Sequence, residues 1–318
     1  MTATRRNKES YICLRAKGGF NDCIIQLAVC TQYAIRHKRS IVLELNAYND
    51  TENVFDFSEY PVKVYTNLNK KLQDLKDRSF YPVFPKEFTR KKTIRHQSPP
   101  VRFNLSKSYP PEVVLMYSAG VGGLPIYKNS SNREIHIFEH LRFTKEFLDK
   151  YKKAVHDAKI PEEYIAIHLR ATDMPLKINS RTKGLTAEEI RTINTVKKSG
   201  NSHKDALVKV SAFIEMNPET PVYIASDNIR LLKKLKEKHS NILTTESAKN
   251  NECESNRACK RLHKHNSDDS SVLSNALIDL LLLANAKKLM ISNGGFSRLA
   301  ADLFDKKDLL KKLLHLSS

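Results

Sequence analysis

Tyr164-Ile-Ala-Ile-His-Leu-Arg-Ala-Thr-Asp173 is a short apolar run that ends by delivering His168, Arg170 and Asp173 into a loop. A run so brief and so rich in aliphatic residues predicts a strand. Alternation along it puts His168 and Arg170 on one face, so both project together where the strand leaves its sheet. Open α/β sheets bind ligands at that edge. A guanidinium fixed there beside an imidazole and a carboxylate suits a phosphate-bearing ligand better than a packed core, although an Arg at a strand end is otherwise an ordinary solvated residue.

Downstream of this strand, β and α patterns alternate regularly. Helices are expected near residues 187–197 and 204–216, the first opened by Thr186-Ala-Glu-Glu189, a capping box. Pro221-Val-Tyr-Ile-Ala225 reads as a strand, Ser226-Asp-Asn228 as a cap for the next helix, and residues 241–245 as a further strand. Residues 246–269 are polar and read as an exposed insertion. A helix over about 271–286, a strand Lys288-Leu-Met-Ile-Ser292 and a glycine turn Asn293-Gly-Gly295 opening a helix at Phe296 complete the pattern.

Upstream, residues 11–14 form a short apolar strand, and Lys17-Gly-Gly-Phe-Asn-Asp22 is a turn with two glycines and two capping residues. Apolar or small residues at Ile24, Leu27, Ala28, Thr31 and Ile35 then follow a 3.6-residue period. That helix ends in Arg36-His-Lys-Arg39, favourable at the negative end of a helix dipole, before the buried strand Ile41-Val-Leu-Glu-Leu45. The unit is Rossmann-like, with a glycine turn presenting N–H groups at a helix N-terminus. Between about 51 and 150 the pattern weakens. Val113-Val-Leu-Met-Tyr117 is the clearest strand there, followed by the glycine loop Ser-Ala-Gly-Val-Gly-Gly123.

The expected fold class is therefore α/β, with two Rossmann-like lobes facing a cleft and mostly parallel sheets. The N-terminal lobe is set at residues 1–150 and the C-terminal lobe at 151–318, the boundary falling around 145–160.

Composition bounds the reading. With 318 residues and 40% hydrophobic content the chain can fill two cores of ordinary size. Five scattered cysteines, Cys13, Cys23, Cys30, Cys253 and Cys259, argue against a disulfide framework and for a reducing compartment. The first residues are basic but lack an apolar stretch behind them, which predicts no secretory signal. The longest apolar run, residues 276–286, is about half of a membrane span and carries Asp279 and Asn285. A cytoplasmic location is expected. The formal charge of +19 attracts polyanions, anionic surfaces or a small phosphorylated substrate without distinguishing among them. Local basic concentrations occur at Arg90-Lys-Lys-Thr-Ile-Arg95 and over residues 257–265, and neither forms a long basic helix. Cys253, Cys259, His263 and His265 fit no common zinc spacing, so no metal site is expected.

Three loops carry ligand-capable groups at the C-terminal ends of expected strands: residues 15–22, 168–173 and 292–297. Together they outline an anion-binding cleft, with Arg170 supplying the full charge.

These residues carry a resemblance. His168-Leu-Arg-Ala-Thr-Asp173 resembles the His-x-Arg-Arg-x-Asp motif of the fucosyltransferase superfamily that includes α1,2-, α1,6- and protein O-fucosyltransferases. Lys17-Gly-Gly-Phe-Asn-Asp-Cys-Ile-Ile-Gln-Leu27 is similar to that family's N-terminal loop and helix, and Val222-Tyr-Ile-Ala-Ser-Asp227 to its strand and Ser-Asp element. The segments Ala276-Leu-Ile-Asp-Leu280 and Ile291-Ser-Asn-Gly-Gly-Phe-Ser-Arg-Leu-Ala-Ala-Asp302 resemble its Asp-bearing helix, strand and Phe-Ser loop. The matches fall in the family's order.

The resemblance implies a GT-B-type, metal-independent, inverting glycosyltransferase that uses GDP-fucose and a glycan or glycoconjugate acceptor. It needs no cofactor and no specific nucleic acid. The C-terminal lobe would hold the nucleotide and the N-terminal lobe the acceptor. Carried over by position, Arg170 binds the β-phosphate and stabilises the leaving GDP, His168 and Asp279 face the guanine, and Ser297 contacts the phosphates. Gly18, Gly19, Asn21 and Asp22 are grouped with the donor-binding residues. Two departures qualify catalysis: the second Arg of the motif is Ala171, and the position of an acidic residue in the α1,6 branch falls near Ile178. The general base is not identified: Asp173, or Asp22 from the opposite lobe, could serve, and Asp173 is better suited to orienting the loop. A polyanion-binding protein without catalysis, and an inactive family member that binds a GDP-sugar, are the alternatives.

Overall fold

The computed structural model describes residues 9–45, 51–82, 101–118, 133–169, 182–196, 202–245, 272–292 and 294–315. The chain divides into two compact units, residues 1–144 with 268–273, and residues 145–267 with 274–318.

The first unit is built on a parallel sheet. Strand β1 (Tyr11–Arg15) leads into helix α1 (Phe20–His37), which returns to β2 (Ser40–Glu44). A short α2 (Thr51–Val54), β3 (Phe55–Asp56), β4 (Val64–Tyr65), α3 (Leu68–Asp74) and β5 (Phe80–Tyr81) follow. Then come β6 (Val114–Tyr117), α4 (Arg133–His140) and β7 (Arg142–Phe143). The sheet order is β4-β2-β1-β6-β5, parallel at every pairing, and β3 pairs antiparallel with β7 as a separate ribbon. Burial on both faces explains why β1 and β2 read as continuous apolar runs instead of alternating ones. One face of the sheet packs Tyr11, Cys13, Val42, Val114 and Met116 against Leu68, Leu72 and Leu75 of the α3 region.

The strands missed between residues 51 and 150 are two residues long. Two residues cannot display a period, so strands this short leave no sign in the sequence. Arg39 also departs from expectation. Helix α1 stops at His37, Lys38 turns left-handed at φ 50°, and Arg39 goes inward instead of facing the helix end. Only 3% exposed, it donates to the carbonyls of Val113 (2.8 Å), Tyr109 (2.7 Å) and Pro110 (2.9 Å). It therefore ties the segment leading into β6 to the start of β2.

The second unit opens with α5 (Lys145–Asp157) and continues with β8 (Ile165–Leu169), α6 (Ala187–Thr195), α7 (Ser202–Glu215), β9 (Val222–Ser226), α8 (Ile229–Lys238) and β10 (Ile242–Leu243). It closes with α9 (Val272–Asn285), β11 (Lys288–Ile291), α10 (Gly295–Phe304) and α11 (Lys307–Leu314). Its sheet, β10-β9-β8-β11, is wholly parallel. Ile165, Ile167, Leu169, Val222, Ile224 and Met290 face one way into a core with Ile193 of α6, Phe213 of α7 and Leu231 and Leu235 of α8. The opposite face carries Tyr164, whose hydroxyl donates to the Leu282 carbonyl of α9 at 2.7 Å. By alternation Ala166 and His168 lie on that same side.

The capping box at Thr186 closes as its spacing requires. Thr186 Oγ1 accepts from Glu189 N at 3.2 Å and Glu189 Oε2 accepts from Thr186 N at 2.7 Å. The other carboxylate oxygen of Glu189 takes Lys288 Nζ (2.6 Å) and Asn217 Nδ2 (2.9 Å), so one buried acid fastens α6 to β11 and α7.

Candidate functional site

His168 ends the central strand of the second unit. Its neighbours in register are Ala225 on β9 and Ile291 on β11, which places it in the middle of the sheet at its C-terminal edge. The side chain is 9% exposed. Its Nδ1 lies 2.5 Å from the hydroxyl of Ser297, in the first turn of α10, and its ring sits 5.2 Å from that of Phe296. Ser297 is fully buried, so this pairing satisfies a hydroxyl that water does not reach. The bond also fixes the plane of the imidazole. The strand end is held from two more sides: Ser292 N donates to the His168 carbonyl (3.1 Å) and Ser226 Oγ to the Leu169 carbonyl (2.9 Å).

Asp279 lies on α9 and faces the same side of the sheet. Its Oδ1 accepts from Tyr223 Oη at 2.6 Å and from Thr245 Oγ1 at 3.0 Å. Tyr223 is the register neighbour of Ala166, one alternation below His168. Burial, then the charge of Asp279 beside it, push the Tyr223 phenol well above its ordinary value, so it stays a donor. Arg170, Ala171, Asp173 and Ile178 lie outside the described residues, as do Cys253, Cys259, His263 and His265. Among the described residues no group of three or more His, Cys, Asp or Glu side chains is arranged to hold a metal ion.

In the first unit the glycine turn meets the N-terminus of α1. Gly19 is the N-cap, and Asp22, three residues on, accepts from Gly19 N at 3.3 Å. Asn21 and Asp22 are therefore inside the helix instead of preceding it, and Asn21 is 5% exposed. Gln26, which sequence reasoning quoted without a role, clasps the turn. Its amide donates to the carbonyls of Lys17 (2.6 Å) and Asp22 (2.9 Å) and accepts from Lys17 N (3.2 Å). Beside the turn, Arg15 at the end of β1 pairs with Glu44 at the end of β2, Nε to Oε2 2.8 Å. His168 with Ser297, and Gly18, Gly19, Asn21 and Asp22 with one another, are thus brought together within their own units. Tyr223, Thr245 and Gln26 were not among the expected site residues. Tyr223 and Thr245 have only a hydroxyl at the end of an otherwise ordinary strand pattern, which carries no signal of a partner.

Each unit is thus a parallel α/β sheet with polar groups at the C-terminal ends of its strands. Solved structures share this fold. NodZ fucosyltransferase from Bradyrhizobium is 15% identical, with a TM-score of 0.53 over 92% of this chain and 91% of that chain. NodZ α1,6-fucosyltransferase co-crystallised with GDP is 16% identical, with a TM-score of 0.52 over 92% of each chain. The apo-form of POFUT1 is 14% identical, with a TM-score of 0.51 over 96% of this chain and 97% of that chain. No curated protein matches the sequence. The model of the GDP-fucose protein O-fucosyltransferase family matches residues 5–297, and the chain belongs to that family. It is accordingly a glycosyltransferase of the fucosyltransferase class, and the family match does not favour the reading as a polyanion-binding protein without catalysis.

Proposed function

We propose that this protein moves fucose from GDP-fucose to a hydroxyl of a glycan or glycoconjugate, with inversion and without a metal, the second unit holding the nucleotide and the first the acceptor. The family match over residues 5–297 carries the reading, because it runs through all three loops that the sequence singled out. Arg170 takes the β-phosphate. As the bond to the anomeric carbon breaks, positive charge grows on the sugar and negative charge on the departing phosphate, and a preorganised guanidinium lowers that barrier. His168 and Asp279 face the guanine. Ser297, engaged by His168, acts on the nucleotide by holding that imidazole, and through the phosphates where the α10 N-terminus meets them. Gly18, Gly19, Asn21 and Asp22, grouped around the N-terminus of α1, are the first unit's candidate ligand-binding residues. Asp173 or Asp22 takes the proton from the acceptor. Location in the cytoplasm is supported by Cys13, Cys23 and Cys30, which are buried free thiols. Among the described residues no helix is long and apolar enough to cross a membrane.

The test is nucleotide-dependent stabilisation followed by transfer. GDP and GDP-fucose raise the melting temperature of the purified protein, and chelator leaves transfer unchanged. Arg170→Lys keeps the fold and loses most of the transfer, about a hundredfold or more, because a point charge cannot reproduce the planar fork. Wild-type turnover in that variant overturns the role of Arg170. Stabilisation by GDP without transfer or hydrolysis identifies an inactive member, the outcome that Ala171 and Ile178 would produce. Failure of every nucleotide sugar to stabilise the protein overturns the reading as a whole.

A further inference from the structure

The first unit carries a chain of aromatic rings that runs from its core to its surface. Tyr33 of α1 meets Phe103 at 4.8 Å, Phe103 meets Tyr109 edge-on at 6.1 Å, and Tyr109 meets Tyr81 at 4.9 Å with the planes inclined by 35°. Phe103 is 2% exposed, whereas Tyr81 is 45% exposed. A single exposed aromatic ring is ordinary on a protein surface. This one is held from behind. Tyr81 ends β5, the edge strand of the sheet, and Arg39 ties down the Tyr109 carbonyl at 2.7 Å. Tyr109 Oη accepts from Asn104 N at 3.0 Å, and the hydroxyl of Tyr81 lies against that of Tyr109. With one face of Tyr81 on Tyr109, its exposure belongs to the other face, an apolar surface whose orientation is set before anything binds.

Polar groups stand beside that ring. The bond from Asn104 N brings Asn104 to the hydroxyl end of the tyrosine pair. Its Oδ1 accepts from the N–H of Ser106 at 2.9 Å and from the Ser106 hydroxyl at 2.7 Å. A backbone N–H can only donate, so these bonds fix which end of the amide is oxygen and leave the two donors of Nδ2 on an exposed side chain. Residues 104–109, Asn-Leu-Ser-Lys-Ser-Tyr, carry one charge in a chain of net charge +19, so the setting is nearly neutral. A pyranose is the complement of this arrangement, with a face of C–H groups to lie on the ring and an edge of hydroxyls to meet an amide. A polyanion would be met by more cations.

We propose that Tyr81, backed by Tyr109 and flanked by Asn104, is a platform for one neutral pyranose unit of the acceptor glycan. Strand β5 lies two strands, about 10 Å, from β1, so a sugar bound there is at a separate place from the glycine turn that follows β1. The acceptor role rests on the reading given under the proposed function; the platform itself is tested without it.

The experiment is saturation-transfer difference NMR of the full-length protein with three neutral tetrasaccharides, cellotetraose, maltotetraose and lacto-N-tetraose. It compares the wild type with Tyr81→Ala, Tyr81→Phe and Asn104→Ala, and melting temperature and GDP affinity are measured on each. The wild type is expected to saturate ring C–H protons of at least one tetrasaccharide, and Tyr81→Ala to lose about fivefold or more of that signal. Tyr81→Phe keeps most of it, because the ring supplies the face, and Asn104→Ala loses about threefold. The signal persists at about 500 mM salt, and GDP affinity is the same in every variant. No Tyr81-dependent signal from any of the three sugars overturns the proposal, as does an equal loss in Tyr81→Phe and Tyr81→Ala. Tyr81-dependent binding of octathymidylate that salt abolishes, in place of the sugars, overturns it in favour of a single-strand nucleic-acid platform. Failure of the wild type to bind GDP is a different result: it removes the transferase reading and the acceptor role, while the Tyr81-dependent signal still decides the platform.

Discussion

Lys307 donates to the carbonyls of Ala284 (2.7 Å) and Ala286 (2.9 Å), closing the C-terminal end of α9 with a single ammonium. It is half-buried, and that burial pulls its ionisation down from the usual 10.5 to about 8. The sign follows from linkage. Between pH 8 and 10.5 the unfolded chain holds the proton at this position and the folded one does not, so stability rises with pH through that window; below pH 8 the full cost of burying the charge is present. The melting temperature of the wild type relative to Lys307→Met should therefore increase from pH 8 to pH 10.5. A difference that stays flat or shrinks would show that the ammonium is not desolvated. At the same scale His168 and Arg39 illustrate how residue type alone underdetermines role. Both read as exposed cationic or ligand-facing groups in the sequence, and both are more than nine-tenths buried; His168 meets a serine 129 positions away and Arg39 meets four backbone carbonyls.

At the scale of an element, the N-terminus of α1 separates two adjacent glycines that the sequence could not tell apart. Gly18 has φ +108°, and a Cβ there would stand 2.5 Å from Asp22 Oδ2, the atom that caps the helix. Gly19 has φ −70° and nothing within 4 Å of where a Cβ would be. Gly18→Ala should thus cost about 1–3 kcal/mol, from a left-handed backbone and a displaced cap together. Gly19→Ala should cost no more than about 1 kcal/mol, the ordinary penalty for alanine at an N-cap. Chemical denaturation gives both numbers, and equal losses would contradict the geometry. Because the space over Gly19 is open, any loss of GDP-fucose or acceptor binding in Gly19→Ala, without loss of stability, would place a ligand directly over the turn.

At the scale of the whole molecule, +19 charges are spread over two units that each bury a parallel sheet. Such a surface attracts polyanions without a fitted site, through contacts that salt screens over about 10 Å at 0.1 M ionic strength. Retention on heparin should fall steeply between about 50 and 500 mM salt, while the GDP-induced rise in melting temperature persists, because the proposed nucleotide site would use directed hydrogen bonds as well as charge. Heparin or RNA binding that survived the higher salt would point to a built polyanion site.

The sequence by itself determined the parallel α/β class, the strand–helix–strand start of the first unit and the alternating order of strands and helices in the second. Continuous aliphatic runs such as residues 164–169 and 41–45 record burial on both faces, and burial on both faces is what a covered parallel sheet imposes. It also placed His168 at a strand end and Asp279 as the lone charge of an apolar helix. Only the tertiary structure decided which groups these side chains meet. Ser297 reaches His168, and Tyr223 and Thr245 reach Asp279, across separations of 129, 56 and 34 residues. Periodicity reports how deeply a position is buried in its own element. Which hydroxyl stands opposite depends on strand order and register, and those arise from the path of the whole chain.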